Sequence, residues 1–293
     1  MEVKTMNKLN NPIIMHINYF EQGQTIDYLI RRAKQLGYDG IEFRRKRTKV
    51  DETVEEYLDE IKRCSERYGL RYVLFGGPGI NVMTQDQDKI RAEIDDYKRF
   101  LDEADKRLEL TCINFMTGSL TCATASASYA YEEHGSFCAE DWHWENAAKA
   151  CEEIALYAPN VKFAFETHMN YLHDLASSSM KLVNMIARPN FGVNLDFGNS
   201  VYFKAGTYPS LEDSITMCGE KLFYTHMKNS IPGTPRRRAT ALSQGDINHR
   251  AYVDKLVEIG FDGFIGIEAP RPGDREYYAE EDLAYLKSIL TVY

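Results

Sequence analysis

Nowhere in this chain do two cysteines stand at the C-x-x-C spacing of a zinc knuckle or a redox pair. The six cysteines (Cys64, Cys112, Cys122, Cys138, Cys151 and Cys218) are scattered, and Cys64 and Cys151 fall inside helical patterns. They read as reduced thiols of a cytoplasmic protein, which excludes a disulfide framework. No run of about 18 apolar residues is present, so no membrane-spanning helix is expected. The opening Met1-Glu-Val-Lys-Thr-Met-Asn-Lys8 has no apolar h-region, so no secretory signal is expected. Positive charge is in deficit too. Lys and Arg number 35 against 44 Asp and Glu, and a net charge of −9 disfavours non-specific binding to nucleic acid. Low-complexity sequence is absent apart from the small-residue run Ala123–Ala130.

What is present is an ordinary globular balance, 44% hydrophobic and 27% charged over 293 residues, enough for a sizeable core. Apolar runs and amphipathic runs alternate along it. Strands are expected at 13–20, 40–45, 72–77, 112–118, 162–170, 191–199, 222–229 and 264–270. Between and after them, helical spacing predicts helices near 24–36, 51–68, 86–108, 141–157, 178–187, 211–218, 250–259 and 281–290. Gly37 and Gly69 are the expected stops of the first two. Eight such repeats imply a parallel sheet closed into a (β/α)₈ barrel, a TIM barrel, as one domain over 1–293. The rival, an open doubly wound sheet, would want a glycine-rich phosphate turn after the first strand, and Glu21-Gln-Gly-Gln24 does not supply one.

Four of these strands end in polar residues: Glu166, Asp196, His226 and Glu268. A barrel places such ends on one face, where barrel enzymes work. Buried charges of this kind need a partner. A structural salt network would serve, but four ligand types ending four consecutive strands point to one divalent cation. Oxygen-rich ligation with one nitrogen suits Mn²⁺ first, with Mg²⁺, Co²⁺, Fe²⁺ and Zn²⁺ as alternatives.

Other residues carry two readings each. His168 shares the strand face of Glu166 and reads as a general base, or as a group hydrogen-bonded to a ligand carboxylate. Lys228, on the face of His226, reads as a substrate contact or as half of a buried pair with Glu42 or another carboxylate. His16 and Asn18 face the lumen end of the first strand. Arg44 is a substrate contact or part of a solvated rim, Arg44-Arg-Lys-Arg47. Arg236-Arg-Arg238 suits an anion or a solvated loop. Trp142, Trp144, Tyr129 and Tyr131 suit ring stacking or plain packing. The stretch 117–140 is too long for a simple βα connection and is expected to cover the metal face or to contact another subunit.

The motifs Gly37-Tyr-Asp-Gly-Ile-Glu42, Glu166-Thr-His168, Asn194-Leu-Asp-Phe-Gly-Asn199, Thr225-His-Met-Lys-Asn229, Gly245-Asp-Ile-Asn248 and Gly260-Phe-Asp-Gly263, with Ile267-Glu268, follow one another in order. Together they resemble the sugar isomerase/epimerase family with the xylose-isomerase-like TIM barrel. The resemblance assigns the metal to Glu166, Asp196, His226 and Glu268. It departs where ketose 3-epimerases of that family carry a histidine after the metal Asp, an arginine after the metal His and a second glutamate. Here those places hold Asn199, Pro232 and Leu172. Endonuclease IV relatives share the fold but need a richer histidine set. The implied chemistry is removal of a proton beside the carbonyl of a keto-sugar or sugar derivative by Glu166, Glu268 or His168, with the metal holding the enediolate. Lys228, Asn199, His16 and Arg44 are the candidate substrate contacts. Isomerisation, epimerisation and elimination share that first step. The lyase branch of the family includes dehydratases and subunits that cleave 3-keto-C-glycosides with a small partner subunit. Homo-oligomers are the alternative assembly, and a non-catalytic sugar-binding barrel is the alternative from another class.

Overall fold

The computed structural model describes residues 9–291 apart from Thr48, Ala205, Thr207, Ala269 and Pro270. Each apolar run contributes one strand: β1 (Ile13–His16), β2 (Gly40–Arg44), β3 (Tyr72–Gly76), β4 (Cys112–Phe115), β5 (Lys162–Glu166), β6 (Phe191–Asp196), β7 (Leu222–Met227) and β8 (Phe264–Ile267). Each pairs in parallel with the next, and β8 pairs with β1, closing the barrel. The helices between and after them are α1 (Ile26–Leu36), α2 (Val54–Tyr68), α3 (Gln87–Asp105), α4 (Asp141–Tyr157), α5 (Ala176–Ile186), α6 (Leu211–Cys218), α7 (His249–Glu258) and α8 (Arg275–Leu290). Local chemistry sets their ends. Thr53 and Glu56 form a capping box on α2, and Gly37 and Gly69 close α1 and α2 at φ 95° and 65°. Among the described residues no helix is long and apolar enough to cross a membrane.

Side chains alternate across each strand, and the two faces differ. Odd-numbered residues pack outward against the helices. Phe115, Phe163, Phe165 and Phe191 lie there with ring centroids 5.0–5.9 Å apart. Even-numbered residues fill the lumen, except at the start of β7, where a register shift against β6 puts Leu222 in the outer core and Phe223 in the lumen cluster. Its lower part is apolar, where Ile14, Leu74, Cys112, Ala164 and Tyr224 meet. One step nearer the C-terminal ends, the same parity supplies His16, Glu42, Asn114, Glu166, Asp196 and His226, all buried. The strand period therefore stacks a polar layer on an apolar plug.

Several expected boundaries move. The first strand stops at His16 and turns into a 3₁₀ segment, Ile17–Tyr19. The sixth stops at Asp196, whose side chain caps a one-turn helix, Phe197–Ser200, by accepting from Asn199 N–H at 2.9 Å. The seventh stops at Met227, and Asn229–Ile231 pairs instead with Arg238–Thr240 as an antiparallel ribbon. The closing helix starts at Arg275, not Glu281, because Asp274 caps it. The expected strand end Ala269–Pro270 and the opening Met1–Lys8 lie outside the described residues.

Residues 117–140 lie at the C-terminal mouth. Leu120 N–H donates to Asn170 O at 2.7 Å, and Ser136 N–H donates to Asp174 Oδ2 at 2.9 Å. Tyr131 of this segment lines the same cavity as His168.

Candidate functional site

Closure of the barrel brings Glu166, Asp196, His226 and Glu268 together. One donor atom from each lies within 4.8 Å of the others. His226 Nδ1 is 3.2 Å from Glu268 Oε2 and 3.9 Å from both Glu166 Oε1 and Asp196 Oδ2. No hydrogen bond to this buried nitrogen is formed among the described residues. An imidazole lone pair facing carboxylate lone pairs is repulsive unless a cation or a proton lies between them. Three carboxylates also outnumber the single ammonium of Lys228, which reaches Asp196 Oδ2 at 2.6 Å and Glu268 Oε2 at 3.1 Å. On both counts the donor set fits a divalent ion.

The electrostatics express the same surplus. Burial alone would lower the His226 pKa, but Glu42, Glu268 and Glu166 hold it well above the ordinary histidine value. Burial, with Glu166 and Glu268 adding to it, pushes Asp196 up to about 6 against the pull of Lys228. Burial would raise Glu268 too, yet Lys228, His16 and His226 hold it well below the usual range.

His226 owes its orientation to a residue absent from the expected site. Its Nε2–H donates to Glu42 Oε2 at 2.9 Å, which leaves the Nδ1 lone pair for the cluster. Glu42 is 1% exposed. Although burial raises a carboxyl, His226 and His16 outweigh it and bring Glu42 down to about 2. Asn114 links two carboxylates of the polar layer, its Nδ2 donating to Glu42 Oε1 at 3.0 Å and Glu166 Oε2 at 2.7 Å. A polar residue of lumen parity in Gly40-Ile-Glu-Phe43 and Cys112-Ile-Asn-Phe115 was the signal that could have identified both.

The expected substrate contacts divide. Lys228 lies in the cluster, and its pair is with Asp196 and Glu268, not Glu42. Asn199 points its amide nitrogen at Asp196 Oδ2 (2.7 Å), Thr167 O (3.0 Å) and Glu166 Oε1 (3.2 Å), so this end orients two carboxylates of the candidate cluster. His16 is buried, its Nδ1 accepting from Asn18 N–H at 3.2 Å, while Asn18 Nδ2 donates to Glu268 Oε1 at 3.0 Å. Arg44 lines the mouth but is paired with Glu21 at 2.9 Å. His168 stands at the rim, half-buried, with Nδ1 2.8 Å from Met169 O. That carbonyl can only accept, so Nδ1 carries the proton and Nε2 the lone pair. Trp144 is buried beneath the Lys181 ammonium and Trp142 stacks on His143, so packing accounts for both; Tyr131 alone of the four candidate rings reaches a cavity here.

Two cavities open onto the cluster. One of about 630 Å³ is lined by His16, Arg44, Asn114, Glu166, His168 and Glu268. The other, about 780 Å³, shares His168 and Glu268 and adds Tyr131, Asn199, Tyr202 and Lys228.

The chain is thus a closed parallel barrel whose strand ends gather three carboxylates and an imidazole into a group that could hold a divalent ion. The family model of the xylose isomerase-like TIM barrel matches residues 30–289. The chain belongs to that family. The 2-oxo-tetronate isomerase of Haemophilus influenzae (strain ATCC 51907 / DSM 11121 / KW20 / Rd) is 25% identical over 221 residues, 73% of this chain and 79% of the relative. D-psicose 3-epimerase of Clostridium cellulolyticum H10, solved with D-tagatose, superposes with a TM-score of 0.76 at 19% identity, covering 95% of this chain and 99% of that one. A probable 3-DHS dehydratase of Bacillus anthracis gives 0.69 at 17% identity, covering 94% and 98%.

Proposed function

We propose that this chain is a divalent-metal-dependent enzyme that moves a proton beside the carbonyl of a keto-sugar or sugar derivative, working as one barrel domain. The observation that carries the reading is the unpartnered Nδ1 of His226 facing three carboxylates at the C-terminal mouth of the barrel. Glu166, Asp196, His226 and Glu268 would hold the ion, with Mn²⁺ the first choice. When bound, the ion supplies Lewis acidity that makes a C–H bond next to a carbonyl more acidic. Lys228 donates to a substrate oxygen and offsets negative charge as that bond breaks. His168 receives the proton on Nε2 from the rim, and Glu166 and Glu268 are the alternative bases. Return of the proton to the other face gives epimerisation, and return to the neighbouring carbon gives isomerisation.

Elimination is the second reading, and specific residues favour it. Leu172, where the epimerases hold their second glutamate, is fully buried, and the Asn199 amide nitrogen is engaged by ligand carboxylates. Neither grips a ketose hydroxyl as the epimerase residues do. The test is metal analysis of the purified protein, followed by a screen of keto-sugars and 3-keto-glycosides for C–H exchange in D₂O. Metal bound by the wild type and lost in Glu166→Gln or Asp196→Asn, with exchange in at least one sugar, is the expected result. A protein that takes up no ion after Mn²⁺ soaking overturns it.

A further inference from the structure

The larger cavity changes character from its floor to its rim. Its inner wall carries Glu268 and Lys228 of the cluster, while its outer wall is the ribbon loop that carries three consecutive arginines, Arg236, Arg237 and Arg238. The middle one is engaged. Arg237 donates to Ser230 Oγ at 2.8 Å and to Ser230 O at 3.0 Å, and it pairs with Asp246 at 2.5 Å. Arg236 and Arg238 form no ion pair with a carboxylate among the described residues. The contrast is with the other basic run at the mouth. There Arg44 is paired with Glu21, Arg45 with Asp96 and Arg47 with Glu52. A chain of net charge −9 thus leaves two guanidinium groups without a carboxylate partner on the wall of a cavity that also holds its candidate catalytic groups. Tyr202 lines the same cavity as Lys228 and Arg236, so floor and rim share one space. At about 780 Å³ that space has the size of a small-molecule site.

We propose that Arg236 and Arg238 form a subsite for an anionic group, a carboxylate or a phosphate, at the end of the substrate remote from the reacting carbonyl. The proposal rests on the sugar-enzyme reading above and narrows its substrate class to acidic or phosphorylated keto-sugars. The physical reason is the fork of each guanidinium, which matches either oxyanion with paired, charge-assisted hydrogen bonds. Guanidinium groups at the rim also orient the ligand, since they draw its anionic end outward while the carbonyl end reaches the floor.

The experiment uses Mn²⁺-loaded protein and three probes that share a ketose core: D-fructose, D-fructose 6-phosphate and D-fructuronate. Binding is followed by titration calorimetry and C–H exchange by NMR in D₂O. At least one anionic probe should bind about 10- to 100-fold more tightly than D-fructose. Arg236→Ala/Arg238→Ala should remove that margin while leaving D-fructose binding and Mn²⁺ content unchanged, and the double Lys variant should keep part of it. The probe that shows the margin identifies the source, phosphate or carboxylate. No margin for either probe, or equal weakening of D-fructose in the variant, overturns the subsite. Absence of C–H exchange with every probe counts against the enzyme reading instead, and the calorimetry still decides the subsite.

Discussion

Glu42 lines neither cavity, yet the orientation of the His226 imidazole in the candidate cluster depends on it. By accepting the Nε2 proton of His226 it selects the tautomer that leaves Nδ1 free. Glu42→Leu should weaken Mn²⁺ binding by about 10- to 100-fold, measured by calorimetry. Glu42→Gln, which keeps an acceptor oxygen, should lose less. His168 makes the opposite case. It stands at the rim, its side chain is tied through Nδ1 to Met169 O, and among the described residues it makes no hydrogen bond to Glu166, Asp196, His226 or Glu268. His168→Ala should therefore retain Mn²⁺ and melt like the wild type, while turnover falls about 10²- to 10⁴-fold. Loss of metal in that variant would make His168 a supporting group. Near-normal turnover would transfer the base role to Glu166 or Glu268.

Among the elements, the loops at the mouth are held by buried polar anchors that no periodicity announces. His173 joins two of them. Its Nδ1–H donates to Glu166 O at 2.6 Å, and its Nε2 accepts from Thr117 N–H at 3.3 Å. Asp174 accepts from Ser136 N–H at 2.9 Å and from Ser178 Oγ at 2.8 Å, tying the 117–140 segment to the start of α5. Removing the acceptor strands buried donors, which costs about 1–3 kcal/mol. Asp174→Ala should lower the melting temperature and make 117–140 the first segment cut in limited proteolysis, with the metal content unchanged. The length of that segment in the sequence already marked it as more than a connection. The anchors could not be read there, because His173 and Asp174 look like ordinary loop residues until the β5 loop folds under the β4 loop.

For the whole molecule, the same anchors pull stability in opposite directions as pH falls. Burial brings the His173 pKa down from 6.5 to about 4, so the folded state holds fewer protons than the unfolded chain across that interval. The stability this provides is complete above pH 6.5 and is lost as pH falls toward 4, by on the order of 3 kcal/mol. Asp174 acts in the opposite sense: burial raises it from 3.8 to about 6, so its contribution is complete below 3.8 and is lost as pH rises through 6. Between pH 7 and 4 the two contributions largely offset each other, so the denaturant midpoint should change little on their account. His173→Gln leaves Asp174 unopposed, so its midpoint should rise as pH falls from 6 toward 4, and a profile like that of the wild type would remove His173 as a contributor.

The amino-acid sequence alone determined the eight-fold alternation, the (β/α)₈ closure and the four residues of the candidate metal cluster. Each of these follows from local periodicity: a period of two in the strands, helical spacing between them, and a charged residue where an apolar strand ends. Only the tertiary structure decided which polar groups meet across the lumen. Pairing within the barrel, including the register shift at Val193/Asn194 between β6 and β7, sets His226 against Glu42 from the far side of the barrel and turns Lys228 toward Asp196. It also ended β1 at His16 and β6 at Asp196, because the chain must turn outward at the mouth and the Asp196 carboxylate is there to cap the turn. Strand spacing is a property of neighbours in sequence, whereas a partner 184 residues away is a property of closure.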